Sequence, residues 1–273
     1  LGGYYAFNMV LICAMATTAR SWLKRVLIIG ALTLLGLPLL RTGSRASLLC
    51  MLAGFGMVIW IVFFKSGRKR AAPAGGMILA ILFLFLILPG LMPKPISERF
   101  ATILSLLPGS SEPLPSSLSA KTAAWNEVFW KEIMLSPLFG SGMGKNSLAH
   151  VDNEYVKVLN EVGLFGFAFF ATILVRMFKM GIKVYQTTDN PLYRGYSLGY
   201  LGALTAIFVH GWAATSMTTI RTMEPLMFSS GIMSALYYLE ITRAEEEKGK
   251  KRSASEPTDH RRAYLHKAMR QRA

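Results

Sequence analysis

The chain has 273 residues, of which 52% are hydrophobic and only 16% are charged. Soluble globular domains carry nearer one quarter of charged residues, so this composition excludes an ordinary soluble domain. The formal net charge is +15, and the lysines and arginines fall in short clusters between long apolar runs. That arrangement is typical of a membrane protein and does not indicate a nucleic-acid partner. Cys13 and Cys50 both lie within apolar runs and predict neither a disulfide framework nor a metal site.

Apolar stretches approaching the roughly 20 residues that cross a bilayer recur along the chain. The chain begins at Leu1 inside such a stretch, so we expect further sequence to precede it. The pattern predicts an all-α, polytopic transmembrane bundle with about seven spans, at 1–18, 26–40, 46–64, 76–92, 158–175, 195–216 and 225–239.

The basic residues predict which side of the membrane each connection faces. Most of them follow the first, third, fifth and seventh predicted spans, and the positive-inside rule makes that side cytoplasmic. The chain is therefore predicted to have four segments. They are transmembrane spans one to four within 1–92, an outer loop at 93–157, transmembrane spans five to seven within 158–239, and a basic cytoplasmic tail at 240–273. We expect the tail to be disordered or a loose surface helix.

The outer loop is the one predicted extramembrane segment with room for a site. We predict an amphipathic helix over 120–135, with Trp125, Phe129 and Ile133 on one face. Pro137 is expected to end this helix. The glycines that follow predict a flexible turn, at Gly140, Gly142 and Gly144.

Two cationic side chains on the outer side have alternative interpretations. Arg45 follows Thr-Gly-Ser at the outer mouth of the third span, where it either reaches toward lipid headgroups or binds an anion. Lys121 lies one helical turn before Trp125, so it is either a solvated lysine or a cation that shares a face with an aromatic ring.

A polar cluster at 150–155 precedes the fifth span. It is either a polar helix start, with Asp152 or Asn153 as N-cap and Glu154 in the first turn, or part of a reactive site. In the second interpretation His150 and Asp152 are the candidates for a general base, because both accept protons near neutral pH when their surroundings favour it.

Two sequence elements on the outer side resemble the O-antigen ligase and polymerase family of bacterial membrane glycosyltransferases. Thr-Gly-Ser-Arg-Ala at 42–46 resembles the family's Ser-Arg at the start of a span. Lys121 and Trp125, followed by Ser-Pro-Leu-Phe-Gly-Ser-Gly-Met-Gly at 136–144, resemble its Arg-x-x-x-Trp and Pro-Leu-x-Gly-x-Gly block. Lysine replaces the family's arginine, which keeps the charge and loses the bidentate geometry that suits phosphate.

A third element extends the resemblance to about residue 166. Asp152 and Asn153, nine residues, and then Gly-Leu-Phe-Gly beginning at Gly163 and ending at Gly166 resemble the family's His-Asn, nine residues, Gly-x-x-Gly. The family's histidine aligns with Asp152, while His150 lies two positions earlier. Family members have more spans than are predicted here, so the chain corresponds to their C-terminal part.

The resemblance implies a multi-pass protein of the bacterial inner membrane with its active site facing the periplasm. It implies transfer of a glycan from a polyprenyl-pyrophosphate carrier to a hydroxyl of a glycan or lipid A-core acceptor, inverting, without a metal or cofactor. The roles it implies are pyrophosphate binding for Arg45 and Lys121, base for Asp152 or His150, and support for Trp125, Asn153, Gly163 and Gly166.

A transporter or flippase of a lipid-linked oligosaccharide would share the hydropathy and the basic outer residues. Such proteins usually place ionisable groups at the membrane midplane. His210 is the main buried candidate of that kind, and we expect it to be a hydrogen-bonded packing residue. Within the family, ligase, polymerase and protein O-oligosaccharyltransferase remain alternatives, as do sugar identity and linkage.

Overall fold

The computed structural model describes residues 1–18, 21–66, 116–143 and 152–255, and every regular element in these ranges is helical. A short 3-10 helix, Ile133–Leu135, follows the fourth α-helix. The α-helices are α1 (Gly2–Thr18), α2 (Trp22–Arg41), α3 (Arg45–Ser66), α4 (Ser116–Lys131), α5 (Glu154–Thr187), α6 (Pro191–His210) and α7 (Ile220–Ser255).

Helix α6 lies at the centre of the described helices and packs against α1, α3, α5 and α7. Small residues allow these close contacts, as they do in membrane helix bundles. Where α3 crosses α6, a Cβ atom added at Gly54 would lie 2.7 Å from the backbone oxygen of Gly202. No side chain fits in that space, so the two backbones are in direct contact.

The surface of the bundle is strongly apolar. Leu34, Phe64, Phe169 and Phe228 are large side chains that remain mostly exposed. Large exposed apolar patches are unfavourable in water and are expected where helices contact lipid. Among the described residues, Arg45–Phe64 and Glu154–Thr187 are long and apolar enough to cross a membrane by length and composition.

Several helix boundaries differ from the predicted ones, and the predicted span at 76–92 lies outside the described residues. Helix α5 continues to Thr187, so the basic residues after 175 lie largely on the helix and not in a connecting loop. Helix α6 ends at His210 rather than at 216. The chain between α6 and α7 then forms an irregular connection, which we call the 211–219 turn.

The first part of the basic tail is helical, which decides between our two expectations for that part. Helix α7 runs through the predicted end of the seventh span to Ser255. Alanine, glutamate, lysine and arginine dominate this stretch and are good helix formers. Arg243 Nε also lies 3.6 Å from Glu247 Oε1, one turn away on the same face. The remaining tail, 256–273, lies outside the described residues.

Candidate functional site

Lys121 and Asp152 form an ion pair between helix α4 and the start of α5. The Lys121 Nζ atom lies 3.3 Å from Asp152 Oδ2 and donates a hydrogen bond to the backbone oxygen of Ala213 at 2.9 Å. The side chains of Lys121 and Asp152 are 35% and 60% exposed, so the pair is accessible to a ligand. The structure thus brings together two residues to which the resemblance gives different roles.

Asn153 holds the N-terminus of α5 in place. Its side-chain oxygen accepts hydrogen bonds from the backbone N–H groups of Tyr155 and Val156, at 3.0 and 3.1 Å. Its Nδ2 atom donates to the backbone oxygen of Trp212 at 3.3 Å. Of the two residues predicted as N-cap, Asn153 fills that role and is fully buried, which leaves Asp152 exposed just before the helix.

Glu154 lies in the first turn of α5, as expected, but its side chain points to an unexpected partner. The carboxylate is fully buried, and its Oε2 atom accepts a hydrogen bond from the backbone N–H of Met217 at 2.9 Å. The other oxygen, Oε1, has no hydrogen-bond partner among the described residues. The Glu154 backbone N–H donates to the oxygen of Gly211 at 2.7 Å.

The 211–219 turn therefore contacts Lys121, Asn153 and Glu154, and it does so mainly through its own backbone groups. We predicted no functional role for residues 211–219 from the sequence. No signal in the sequence could have assigned one, because backbone groups are the same at every position and leave no residue pattern.

Trp125 lies one turn after Lys121 on α4, as the helical spacing predicts. Its ring is half-buried, and its indole N–H has no hydrogen-bond partner in the part of the chain that the structure describes. A buried donor of this kind is normally paired in a native protein. The indole N–H is thus a donor that the described residues leave unsatisfied, and its nitrogen is not exposed to solvent.

Arg45 is the first residue of α3. Hydrogen bonds connect this end of α3 to α6. The hydroxyl of Ser47 lies 2.8 Å from that of Ser44 and 3.1 Å from His210 Nε2. The other ring nitrogen of His210 is hydrogen-bonded to Ser216 Oγ. His210 is buried and hydrogen-bonded, as expected, and it connects the start of α3 to the 211–219 turn.

The two glycine-containing elements of the sequence meet in a backbone joint. In a regular helix the N–H groups of Leu164 and Phe165 would bond to the carbonyls four residues earlier. Instead they donate to Pro137 and Leu138, at 2.9 and 3.2 Å. The freed carbonyls, those of Asn160 and Glu161, accept from the N–H groups of Ser141 and Gly142, at 2.8 and 3.1 Å.

This joint requires glycine at residue 163. Gly163 has φ 65° and ψ −169° within α5, a conformation that a side chain strongly disfavours. A Cβ atom there would lie 2.4 Å from the backbone oxygen of Leu138. At Gly166, a Cβ atom would lie 2.4 Å from that of Val162. The expectation of a flexible turn at 140–144 is wrong for Gly140 and Gly142. The Gly142 N–H donates to Glu161 of α5, while the Gly140 N–H donates to Ser136 and a Cβ atom at Gly140 would lie 2.6 Å from the Glu161 oxygen.

The described site residues meet at one end of the bundle, where α3 and α5 begin and α6 ends. Lys121, Asp152, Asn153 and Trp125 belong to one contact region, and Arg45 is connected to it through Ser47 and His210. His150 and Gly144 lie outside the described residues.

The described residues, with their span-length apolar helices and a polar site at the helix ends, have the character of a helical membrane protein. A family model described as O-antigen ligase matches residues 28–171, more than half of the chain, and the chain belongs to that family. No curated protein sequence matches the chain. The family comprises membrane proteins with ligase- or polymerase-like glycosyltransferase activity. The matched range includes Arg45, Lys121 and Asp152 and ends before the 211–219 turn.

Proposed function

We propose that this protein transfers a glycan from a polyprenyl-pyrophosphate carrier to an acceptor hydroxyl at the periplasmic face of the bacterial inner membrane. The acceptor is a growing glycan or a lipid A core. The observation that supports this most directly is the 3.3 Å contact between Lys121 and Asp152, a cation and a carboxylate that both belong to family elements.

The exposure of the pair suits a role in binding. Solvent-exposed ion pairs contribute only about 0–1 kcal/mol to stability. A pyrophosphate group carries more than one negative charge, so it competes well with Asp152 for the Lys121 ammonium. Arg45 supplies a second cation, and the indole N–H of Trp125 supplies a donor without a partner among the described residues. Charge-assisted hydrogen bonds of this kind stabilise the negative charge on a leaving group.

The chemistry is a single displacement at the anomeric carbon of the donor sugar. The acceptor oxygen forms a bond to that carbon while the bond to the pyrophosphate oxygen breaks, and the electron pair leaves with the pyrophosphate. The acceptor proton passes to the Asp152 carboxylate, and the anomeric configuration inverts. Because base and leaving group then lie on opposite faces of the sugar, the Lys121–Asp152 pair has to open when the donor binds.

Cations of the chain fill the electrostatic role in this proposal, so we expect transfer without a metal. The outer segments contain no Asp-x-Asp pair of the kind that holds a metal on a sugar diphosphate. His150 is the alternative base, since it lies two residues before Asp152.

The test is a transfer assay in proteoliposomes with a polyprenyl-pyrophosphate glycan, a panel of acceptors, and EDTA in one arm. Product on lipid A core indicates a ligase, and longer glycans on the carrier indicate a polymerase. We expect Asp152→Asn to lower kcat by about 10²–10⁴, the usual contribution of a general base. His150→Asn tests the alternative base in the same assay.

Asp189→Asn is the matched control, because Asp189 is an exposed aspartate in the connection between α5 and α6. Full activity of both Asp152→Asn and His150→Asn would overturn the base assignment. Movement of the carrier across the bilayer without transfer would overturn the glycosyltransferase itself and favour a flippase.

A further inference from the structure

His210 is a buried polar residue that the proposed chemistry does not use. Both of its ring nitrogens are hydrogen-bonded, Nε2 to Ser47 at 3.1 Å and Nδ1 to Ser216. The serine partners are themselves buried. The ring also has little freedom to move, since a Cβ atom added at Gly3 would lie 3.0 Å from its Cε1 atom.

A neutral imidazole has one N–H donor and one acceptor nitrogen, while a serine hydroxyl both donates and accepts. Two serines therefore satisfy a neutral His210. Because the Ser216 hydroxyl donates to the Ala214 oxygen, it accepts from the Nδ1–H group, and Nε2 accepts from the Ser47 hydroxyl. The arrangement has no need of a charge on the ring.

The two serines belong to different parts of the site. Ser47 lies in the first turn of α3, two residues after Arg45, and its hydroxyl also contacts Ser44 at 2.8 Å. Ser216 belongs to the 211–219 turn, where its hydroxyl donates to the oxygen of Ala214 at 3.2 Å. The neighbouring Ala213 oxygen accepts the hydrogen bond from Lys121. The histidine thus lies between the segment that carries Arg45 and the segment that binds Lys121.

We propose that His210 is a positioning residue that fixes the spacing of the two cations. The hydrogen-bonded series Ser47–His210–Ser216 holds the start of α3 at a set distance from the turn that anchors Lys121. A pyrophosphate has two phosphate groups, so it binds well only when both cations are held at the matching separation. This inference rests on the proposed pyrophosphate roles of Arg45 and Lys121. It extends the site to residues beyond the range that matches the family.

If the three residues act in series, the loss of any one hydrogen bond separates the start of α3 from the 211–219 turn. We expect Ser47→Ala, Ser216→Ala and His210→Leu each to raise the KM for the glycan donor, with little change in the KM for the acceptor. A misplacement of about 1 Å costs up to about 10²-fold in enzymes, so we expect an increase of about tenfold to 10²-fold.

The double variants give the decisive result. Ser47→Ala combined with His210→Leu, or with Ser216→Ala, is expected to have the same donor KM as the single variants. Independent packing contributions would instead add in free energy, so the increases in donor KM would multiply. Thr205→Val is the matched control, because Thr205 lies on the same helix and, among the described residues, its hydroxyl bonds only within that helix, to Leu201 at 2.8 Å.

Three results would count against these proposals, and each identifies which proposal fails. Absence of transfer by the unaltered protein defeats the proposed function, and the inference with it. Transfer by the unaltered protein with an unchanged donor KM in the two serine variants overturns the inference alone. Additive effects spread equally over donor and acceptor also overturn it, because they mark His210 as a packing residue. If His210→Leu does not fold, the two serine variants and their combination still decide.

Discussion

Gly140 and Gly163 leave room for one another's backbone. A Cβ atom added at Gly140 would lie 2.6 Å from the Gly163 nitrogen, and one added at Gly163 would lie 2.5 Å from the Gly140 nitrogen. Both residues have positive φ, at 74° and 65°. The two glycine-containing elements, which are separate in the sequence, are therefore two halves of one contact that attaches the segment after α4 to α5.

We expect Gly163→Ala to destabilise the protein by more than about 2 kcal/mol. Positive φ alone costs a side-chain-bearing residue about 1–3 kcal/mol, and the added methyl also meets backbone atoms that cannot move aside easily. Gly231→Ala is the control, since Gly231 lies within α7 with no atom within 4 Å of the added Cβ. That change is expected to be neutral or slightly stabilising. Thermal unfolding in detergent measures the stability of both variants. Equal unfolding midpoints would contradict the requirement for glycine at residue 163.

The joint shows what the sequence could and could not predict. The glycine spacing identified both elements, and the expected helix over 120–135 exists as α4 followed by the 3-10 helix. The exchange of hydrogen bonds between the elements could not be predicted, because it involves only backbone groups. Glycine is equally compatible with a flexible turn and with a tightly fitted one, and only the partner backbone distinguishes the two.

The charge at Lys121 is expected to matter more than its shape. Lys121→Met removes a cation beside the proposed leaving group, and we expect kcat/KM for transfer to fall by about 10²–10³. Lys121→Arg restores the residue type of the family element and is expected to retain activity or increase it, because arginine binds phosphate in a bidentate manner. Lys179→Met, at an exposed position on α5, is the control for loss of a positive charge. Equal activity of the Met and Arg variants would refute the pyrophosphate role.

The two helix-capping asparagines allow capping to be separated from the contact with the 211–219 turn. Asn190 caps α6 by accepting from the Leu192 N–H at 2.9 Å, whereas Asn153 both caps α5 and donates to the Trp212 oxygen. Aspartate keeps the acceptor and loses the donor. We expect Asn190→Asp to be nearly neutral and Asn153→Asp to destabilise by about 1–3 kcal/mol, because a buried carboxylate would then face the Trp212 carbonyl without a donor between them.

Alanine at the same two positions completes that comparison. Asn190→Ala is expected to cost about 1 kcal/mol, the usual value for loss of an N-cap, and Asn153→Ala should cost more. Chemical denaturation of the four variants in detergent provides the free energies of unfolding. Equal costs for Asn153→Asp and Asn190→Asp would show that the contact with Trp212 contributes nothing.

The 211–219 turn explains why only part of the site could be predicted from the sequence. Arg45, Lys121 and Asp152 carry distinctive side chains at recognisable spacings, so a sequence pattern finds them. The groups that hold them together are largely carbonyl and N–H groups of residues 211–217, together with the small hydroxyls of Ser47 and Ser216. Such groups become visible only once the fold places them next to their partners.

Glu154 tests whether the turn is held by a charge or by a hydrogen bond. Its buried carboxylate accepts from the Met217 N–H, and a glutamine retains that acceptor. Burying a charge is costly unless it is well paired, and one oxygen of Glu154 has no partner among the described residues. We therefore expect Glu154→Gln to keep both stability and transfer.

Glu154→Ala, by contrast, leaves the Met217 N–H unpaired and empties a buried site, and we expect it to destabilise by about 2–4 kcal/mol. Because the same turn binds Lys121, the donor KM should rise in Glu154→Ala and stay unchanged in Glu154→Gln. Glu224→Ala, at an exposed position near the start of α7, controls for loss of a glutamate. If Glu154→Gln were as damaging as Glu154→Ala, the negative charge itself, and not the hydrogen bond, would be what holds the turn against α5.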